Sequence, residues 1–306
     1  MTTKNFLTIP GSLAIALLWA FDYRPALAAS LTPTTTNLNV FAAISLSNAL
    51  QEIEPLYEQS RPNVDLSLIF GASGVLLQQI QQGAAADIFF SASPVEVNTL
   101  ESANLLRPGT RQDVLKNTLA LVTPRNSTLS LSSVQDLTSL QVSRIAIGNP
   151  NTVPAGRYAQ ELLASTGVSV AVQSKLVLGQ NVRNVLSLVE TGQADVGIVY
   201  TTDALQSNLV NVAYIPPIDA YSPIVYPLAI LQRSPNSQEA LDFTNFLQSA
   251  PAISVFERFG FTAAKPPASV PEPVSAIGIL AVGALGLGLR RSRQQTTAAK
   301  NNGDRG

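Results

Sequence analysis

Two serines stand where the pattern of the chain places helix starts. Ser45 follows the apolar run VFAAI at residues 40–44, and Ser73 sits in the turn GASG at residues 71–74. The first turn of a helix presents N–H groups with no intrahelical partner and the positive end of the macrodipole. Two such starts that converge form an anion site without any basic side chain. Three further positions offer the same chemistry later in the chain. Ala155 follows Pro154, a favoured first residue of a helix; Val182 follows Asn181, a good N-cap; Tyr200 closes an apolar run with a phenol. Ala155 and Val182 can contribute only backbone N–H groups. Each residue also has a plain structural reading: the serines as ordinary N-caps, Tyr200 as a core residue with its hydroxyl at the rim.

The elements that must position these residues alternate. Residues 38–43 form an apolar run suited to a buried strand, followed by a helix from Ser45 with Leu46, Leu50, Ile53 and Tyr57 on one face. Pro55 conflicts with that helix and is expected to kink or end it. Residues 64–70 form a second strand, a helix runs from Ser73 to a stop at Gly83, and residues 87–92 form a third strand. Strands alternating with helices imply a parallel sheet with ligand sites beyond the carboxyl ends of its strands. The second half reads as strands at 119–123, 144–147, 195–200 and 225–231, with helices at 154–163, 182–191 and 238–247. QQIQQGAAADIFF and SLVETGQADVGIVY share an order of helix, glycine, Ala-Asp and strand, which implies two lobes of similar build around a shared cleft.

Composition limits the chemistry. Of the 306 residues 46% are hydrophobic, enough for a substantial core, and only 13% are charged, with a net charge of −1. No basic surface is available for nucleic acid, so none is expected as a partner. The chain has no Cys and no His, which removes disulfides, thiolate sites and the usual general base. No Lys lies near either serine, so an enzyme with a serine nucleophile is not expected. Residues 1–29 read as a signal peptide, with Lys4, an apolar stretch and a signal-peptidase site at Ala26-Leu27-Ala28; residues 30–37 read as a linker. The tail, 265–306, carries VPEP, an apolar segment at 274–289 and then Arg290, Arg291 and Arg293. It reads as a membrane segment with its end in the cytoplasm.

Five ordered segments carry a resemblance: VFAAISLSNAL, FGASGVLLQQIQQGAAADIFFSA, NPNTVPAGRYAQELL, NVRNVLSLVETGQADVGIVYTTDA and ERFGFT. Together they resemble the periplasmic molybdate-binding proteins of ABC-type molybdate importers, over residues 38–264. The resemblance implies an α/β, two-lobed type II periplasmic-binding-protein fold, each lobe a mainly parallel sheet flanked by helices. Lobe one is expected at 38–118 and 223–264, and lobe two at 119–222. It implies molybdate as ligand, with tungstate close behind, held by Ser45, Ser73, Ala155, Val182 and Tyr200 through the oxyanion oxygens. No direct metal ligand, cofactor or catalysis is expected, and the implied partner is an ABC transporter permease. Sulfate or another tetrahedral oxyanion remains the alternative ligand, and a surface-anchored scavenger without a permease the alternative role. The tail resembles a PEP-CTERM sorting signal, which implies an exosortase and a periplasmic or cell-surface protein tethered to the inner membrane.

Overall fold

The computed structural model describes residues 35–265. The expected signal peptide, the first part of the linker, and the tail beyond Lys265 with its segment at 274–289 lie outside the described residues. Among the described residues no helix is long and apolar enough to cross a membrane.

Lobe one opens with β1 (Thr36–Ala43), a 3₁₀ turn (Ile44–Leu46), α1 (Ser47–Ser60), β2 (Val64–Gly71), α2 (Ser73–Gln81), β3 (Ile88–Phe90), α3 (Pro94–Ser102) and β4 (Gln112–Asn117). The chain crosses at Thr118 into lobe two: β5 (Leu119–Pro124), β6 (Ile145–Gly148), α4 (Pro154–Ser165), α5 (Ser169–Val172), β7 (Leu176–Gly179), α6 (Val182–Glu190), β8 (Val196–Tyr200), α7 (Thr201–Ala204) and β9 (Val210–Tyr214). It returns to lobe one with β10 (Ile224–Ile230), α8 (Ser237–Phe246), α9 (Ala250–Arg258) and β11 (Thr262–Ala263).

The two sheets are ordered β11-β4-β10-β3-β1-β2 and β7-β6-β8-β5-β9. In each, the three strands nearest the helix starts are parallel: β2, β1 and β3 in lobe one, β7, β6 and β8 in lobe two. The sheets are nevertheless mixed rather than mainly parallel, because β10 runs against β3 and β4, and β5 against β8 and β9. β5 and β10 are the strands that the two crossings feed from the cleft edge. A strand that starts at the cleft must run away from it, opposite to strands that end there.

Burial explains why the parallel strands read as apolar runs. Val196 to Tyr200 is buried throughout, as is Val40 to Ala43 in β1, so side chains on both faces of these strands leave water. Helix α1 departs from expectation at two points. It starts at Ser47, after a 3₁₀ turn that holds Ser45, and it continues through Pro55 to Ser60 without ending. Pro55 lies on the exposed face, as does Gln51, whose carbonyl loses its i+4 donor on the side of the helix that faces solvent. Several short elements, among them β4, β7, β9, α3 and α7, have no counterpart in the sequence reading; four to nine residues give too little periodicity to register.

Candidate functional site

Ser45 and Ser73 are not helix caps. The residues at the cap positions are Ala43 and Leu46 before the Ser45 turn and α1, and Ala72 before α2, and none of them makes a side-chain cap bond. The serine hydroxyls are turned instead into the cleft end of lobe one, where both are buried. Ser45 Oγ lies 3.0 Å from Tyr226 Oη on β10, and Ser73 Oγ accepts a bond from the Ala92 N–H at 3.0 Å. Tyr226 was invisible to sequence reasoning. It lies 181 residues from Ser45 and inside an ordinary apolar strand.

Lobe two contributes mainly backbone. Pro154 occupies the first turn of α4, and the loop before it is drawn in so tightly that a Cβ on Gly156 would lie 2.0 Å from Gly148 O. Only glycine allows that approach. Asn181 caps α6 by accepting from the Asn184 N–H at 2.9 Å, which leaves the earlier N–H of Val182 free. Among the described residues neither the Ala155 nor the Val182 N–H finds a backbone or side-chain acceptor. Tyr200 ends β8 with its ring 1% exposed and its hydroxyl buried without a partner. Burial, reinforced by Tyr226 alongside, pushes the Tyr200 phenol well above its ordinary range, so it is a protonated donor at any physiological pH.

All five residues line one small cavity between the lobes, together with Ala43, Ile44, Gly71, Ala72, Ala92, Val153 and Pro154. Its lining holds no charged side chain. Every polar hydrogen it presents comes from a hydroxyl or a backbone amide, so the arrangement is suited to a small anion and offers no base, nucleophile activator or metal ligand.

Comparison with known proteins agrees in outline. The family model for bacterial extracellular solute-binding proteins matches residues 38–262. The chain is a bacterial extracellular solute-binding protein. It is 36% identical to the molybdate-binding protein ModA of Escherichia coli, over 74% of this chain and 88% of that protein. It is 34% identical to the ModA of Haemophilus influenzae, over 75% of this chain and 91% of that protein. The periplasmic molybdate-binding protein of Azotobacter vinelandii shares the fold, with a TM-score of 0.68 at 22% identity, over 74% of this chain and all of the other.

In this solute-binding protein the lobes are closed on each other, and contacts around the cavity hold them so. The Gly74 N–H of lobe one donates to Thr152 O of lobe two at 2.9 Å, an approach that a Cβ on Gly74 would block at 2.6 Å. Arg157 of α4 reaches across to Glu96 Oε1 (2.6 Å) and Ser93 Oγ (3.2 Å) on lobe one. Arg183 of α6 donates to Asn48 Oδ1 at 2.8 Å, again across the cleft, while its Nε sits 2.6 Å from Asp203 Oδ1 in its own lobe. The two arginines next to the backbone donors are therefore committed to neighbours, not aimed into the cavity. Asp203 is fully buried, and burial pushes its carboxyl up to about 6 against the opposing pull of Arg183.

A larger cavity, of about 290 Å³, opens at the opposite end of the lobe-one sheet beside Ile80, Asp87, Leu231 and Arg233. Its buried carboxylate, Asp87, is already engaged by the Asn39 N–H and the Ser234 hydroxyl. Size does not mark the functional site here; convergent free donors do.

Proposed function

We propose that this solute-binding protein captures molybdate, with tungstate as a near-equal ligand, for delivery to an ABC transporter permease. The observation that carries the reading is the set of uncharged donors drawn from both lobes: the hydroxyls of Ser45, Ser73 and Tyr200 and the N–H groups of Ala155 and Val182. Hydrogen bonds to a charged ligand are worth about 1.5–3 kcal/mol each, so five give a gross gain on the order of 10 kcal/mol before closure and dehydration. Because the donors are divided between lobes, opening withdraws a large share of them at once and releases the anion without breaking an ion pair. The protein needs no cofactor and does no chemistry on its ligand, since neither serine has a base beside it. Export by cleavage at a signal-peptidase site, and retention at the membrane by the segment at 274–289 after exosortase recognition, complete the proposal.

The test is a thermal shift of the purified protein with molybdate, tungstate, sulfate and phosphate in turn. Ligand at 100 times its Kd adds about 2.7 kcal/mol, a rise of a few degrees in Tm for a protein of this size. Stabilisation by molybdate and tungstate is the expected result. A shift with sulfate alone replaces the ligand, and no shift with any of the four overturns oxyanion capture.

A further inference from the structure

We infer that Asn117 and Tyr226 are positioning residues that fix the direction of the Ser45 hydroxyl proton, and that the site thereby selects oxyanions carrying no proton of their own. The inference deepens the oxyanion reading and rests on it.

The chain of bonds starts at a group whose polarity cannot reverse. The Thr118 backbone N–H donates to Asn117 Oδ1 at 2.9 Å, which turns the amide so that Nδ2 faces Thr202 Oγ1 (2.9 Å) and Tyr226 Oη (3.1 Å). An amide nitrogen only donates, so the phenol oxygen of Tyr226 accepts. Tyr226 is fully buried, and its own single proton needs an acceptor. The remaining partner among the described residues is Ser45 Oγ, 3.0 Å away. Were Ser45 to donate instead, the Tyr226 proton would be buried with nothing to receive it. Tyr226 therefore donates, Ser45 accepts, and the one proton of Ser45 is left for the cavity.

Ser73 reaches the same state by a shorter route. Its oxygen accepts the Ala92 backbone N–H at 3.0 Å, so its proton too is left for the cavity. Both serines are thus polarised by backbone amides, directly or through Asn117 and Tyr226. With the Tyr200 hydroxyl and two N–H groups, the ligand meets five donors, and no carboxylate or other acceptor-only side chain lines the cavity, so a hydroxyl can take a ligand proton only at the expense of its own donated bond. A fully deprotonated dianion such as molybdate, tungstate, sulfate or selenate satisfies all of them. Phosphate and arsenate near neutral pH carry at least one O–H, which here points at another donor. Cavity size sorts the dianions from one another; the relay rejects the protonated anions.

Calorimetric titration of molybdate and phosphate into the wild-type protein and into Tyr226→Phe, Asn117→Asp and Ser45→Ala, singly and combined, tests this, with circular dichroism confirming the fold. Tyr226→Phe frees the Ser45 rotor, so molybdate weakens about tenfold and the margin over phosphate narrows. In the Ser45→Ala background Tyr226→Phe costs nothing further, because the relay acts only through Ser45. Asn117→Asp reverses the chain: the carboxylate takes the Tyr226 proton, the phenol takes the Ser45 proton, and a lone pair faces the ligand. The molybdate-to-phosphate ratio then falls about tenfold or more, and with the titrations run at about pH 8.5, where phosphate like molybdate is a dianion, the added charge weighs equally on both ligands and cancels from that ratio. Full additivity of Tyr226→Phe with Ser45→Ala, or an unchanged ratio in folded Asn117→Asp, overturns the relay. If Tyr226→Phe does not fold, the Asn117→Asp ratio decides alone. A wild-type protein that binds neither anion overturns the function itself, whereas molybdate binding with an unmoved ratio overturns only the relay.

Discussion

The two lobes meet the cavity in different materials. Lobe one offers side chains, the hydroxyls of Ser45 and Ser73, each already accepting a bond from within its own lobe. Lobe two offers backbone, the N–H groups of Ala155 and Val182 at the starts of α4 and α6, with the phenol of Tyr200 beside them. The difference separates two kinds of constraint on the sequence. In lobe one the residue type carries the donor; in lobe two, Tyr200 apart, the helix start carries it, and the type of the donor residue matters mainly for packing. The contrast extends to the arginines. Both interlobe arginine contacts are launched from lobe two, one or two residues after a backbone donor, and are received on lobe one by Glu96, Ser93 and Asn48.

The largest expected effect comes from emptying lobe one. Ser45→Ala with Ser73→Ala removes two bonds to a charged ligand, about 4 kcal/mol or roughly a thousandfold in Kd, measured by calorimetry with molybdate. The double variant also leaves the Ala92 N–H and the Tyr226 hydroxyl without these partners, at about 1–3 kcal/mol of stability each, so circular dichroism accompanies the titration.

Lobe two is broken differently. Val182→Ala keeps the backbone donor and should leave affinity within about threefold, whereas Val182→Pro deletes it and should cost about 2 kcal/mol of binding. The substitution suits its place: proline favours the first helical position, and Asn181 before it is already extended, at φ −160° and ψ 173°. Equal losses from the two variants would show that the valine side chain, not the amide, is what counts.

Asp203 supplies a pH signature confined to lobe two. Its folded-state carboxyl, held up to about 6 mainly by burial, keeps its proton at pH values where the unfolded chain has lost it. The stabilising contribution is thus complete below about pH 4 and is lost as pH rises through about 6, an effect on the order of 2 kcal/mol. Chemical denaturation at a series of pH values should show stability falling over that window in the wild type and falling less in Asp203→Asn, where the Glu54 carboxyl, also raised by burial, still titrates.

The smallest effect tests the bridge between lobes. Arg157→Ala removes the contact to Glu96 and Ser93 from the closed state only, so molybdate release should accelerate by about fivefold, near 1 kcal/mol, with a smaller change in association. Stopped-flow displacement measures both.

Much of this architecture was legible from pattern. Apolar runs at β1, β2, β5 and β8, the glycine stop after α2 and the Asn181 cap are local features whose physics lies within a few residues. Ser45, Ser73, Ala155, Val182 and Tyr200 stood out as helix starts or strand ends, and the cavity brings all five together. Pro55 misled, because its cost depends on whether the orphaned carbonyl meets water or core, and the exposed face of α1 supplies water. The mixed sheets were hidden because strand direction depends on which lobe the chain enters from.

By itself the sequence determined the alternation of strands and helices, the absence of cysteine and histidine chemistry, and the candidate donors. Those follow from residue type and short-range periodicity. The tertiary structure alone decided how the donors are aimed: that Tyr226 stands against Ser45, that Ala92 polarises Ser73, and that Arg157 and Arg183 bind across the cleft and leave the cavity uncharged. Hydrogen-bond polarity depends on angles and distances of a few ångströms between residues up to 181 positions apart, and no local pattern encodes those.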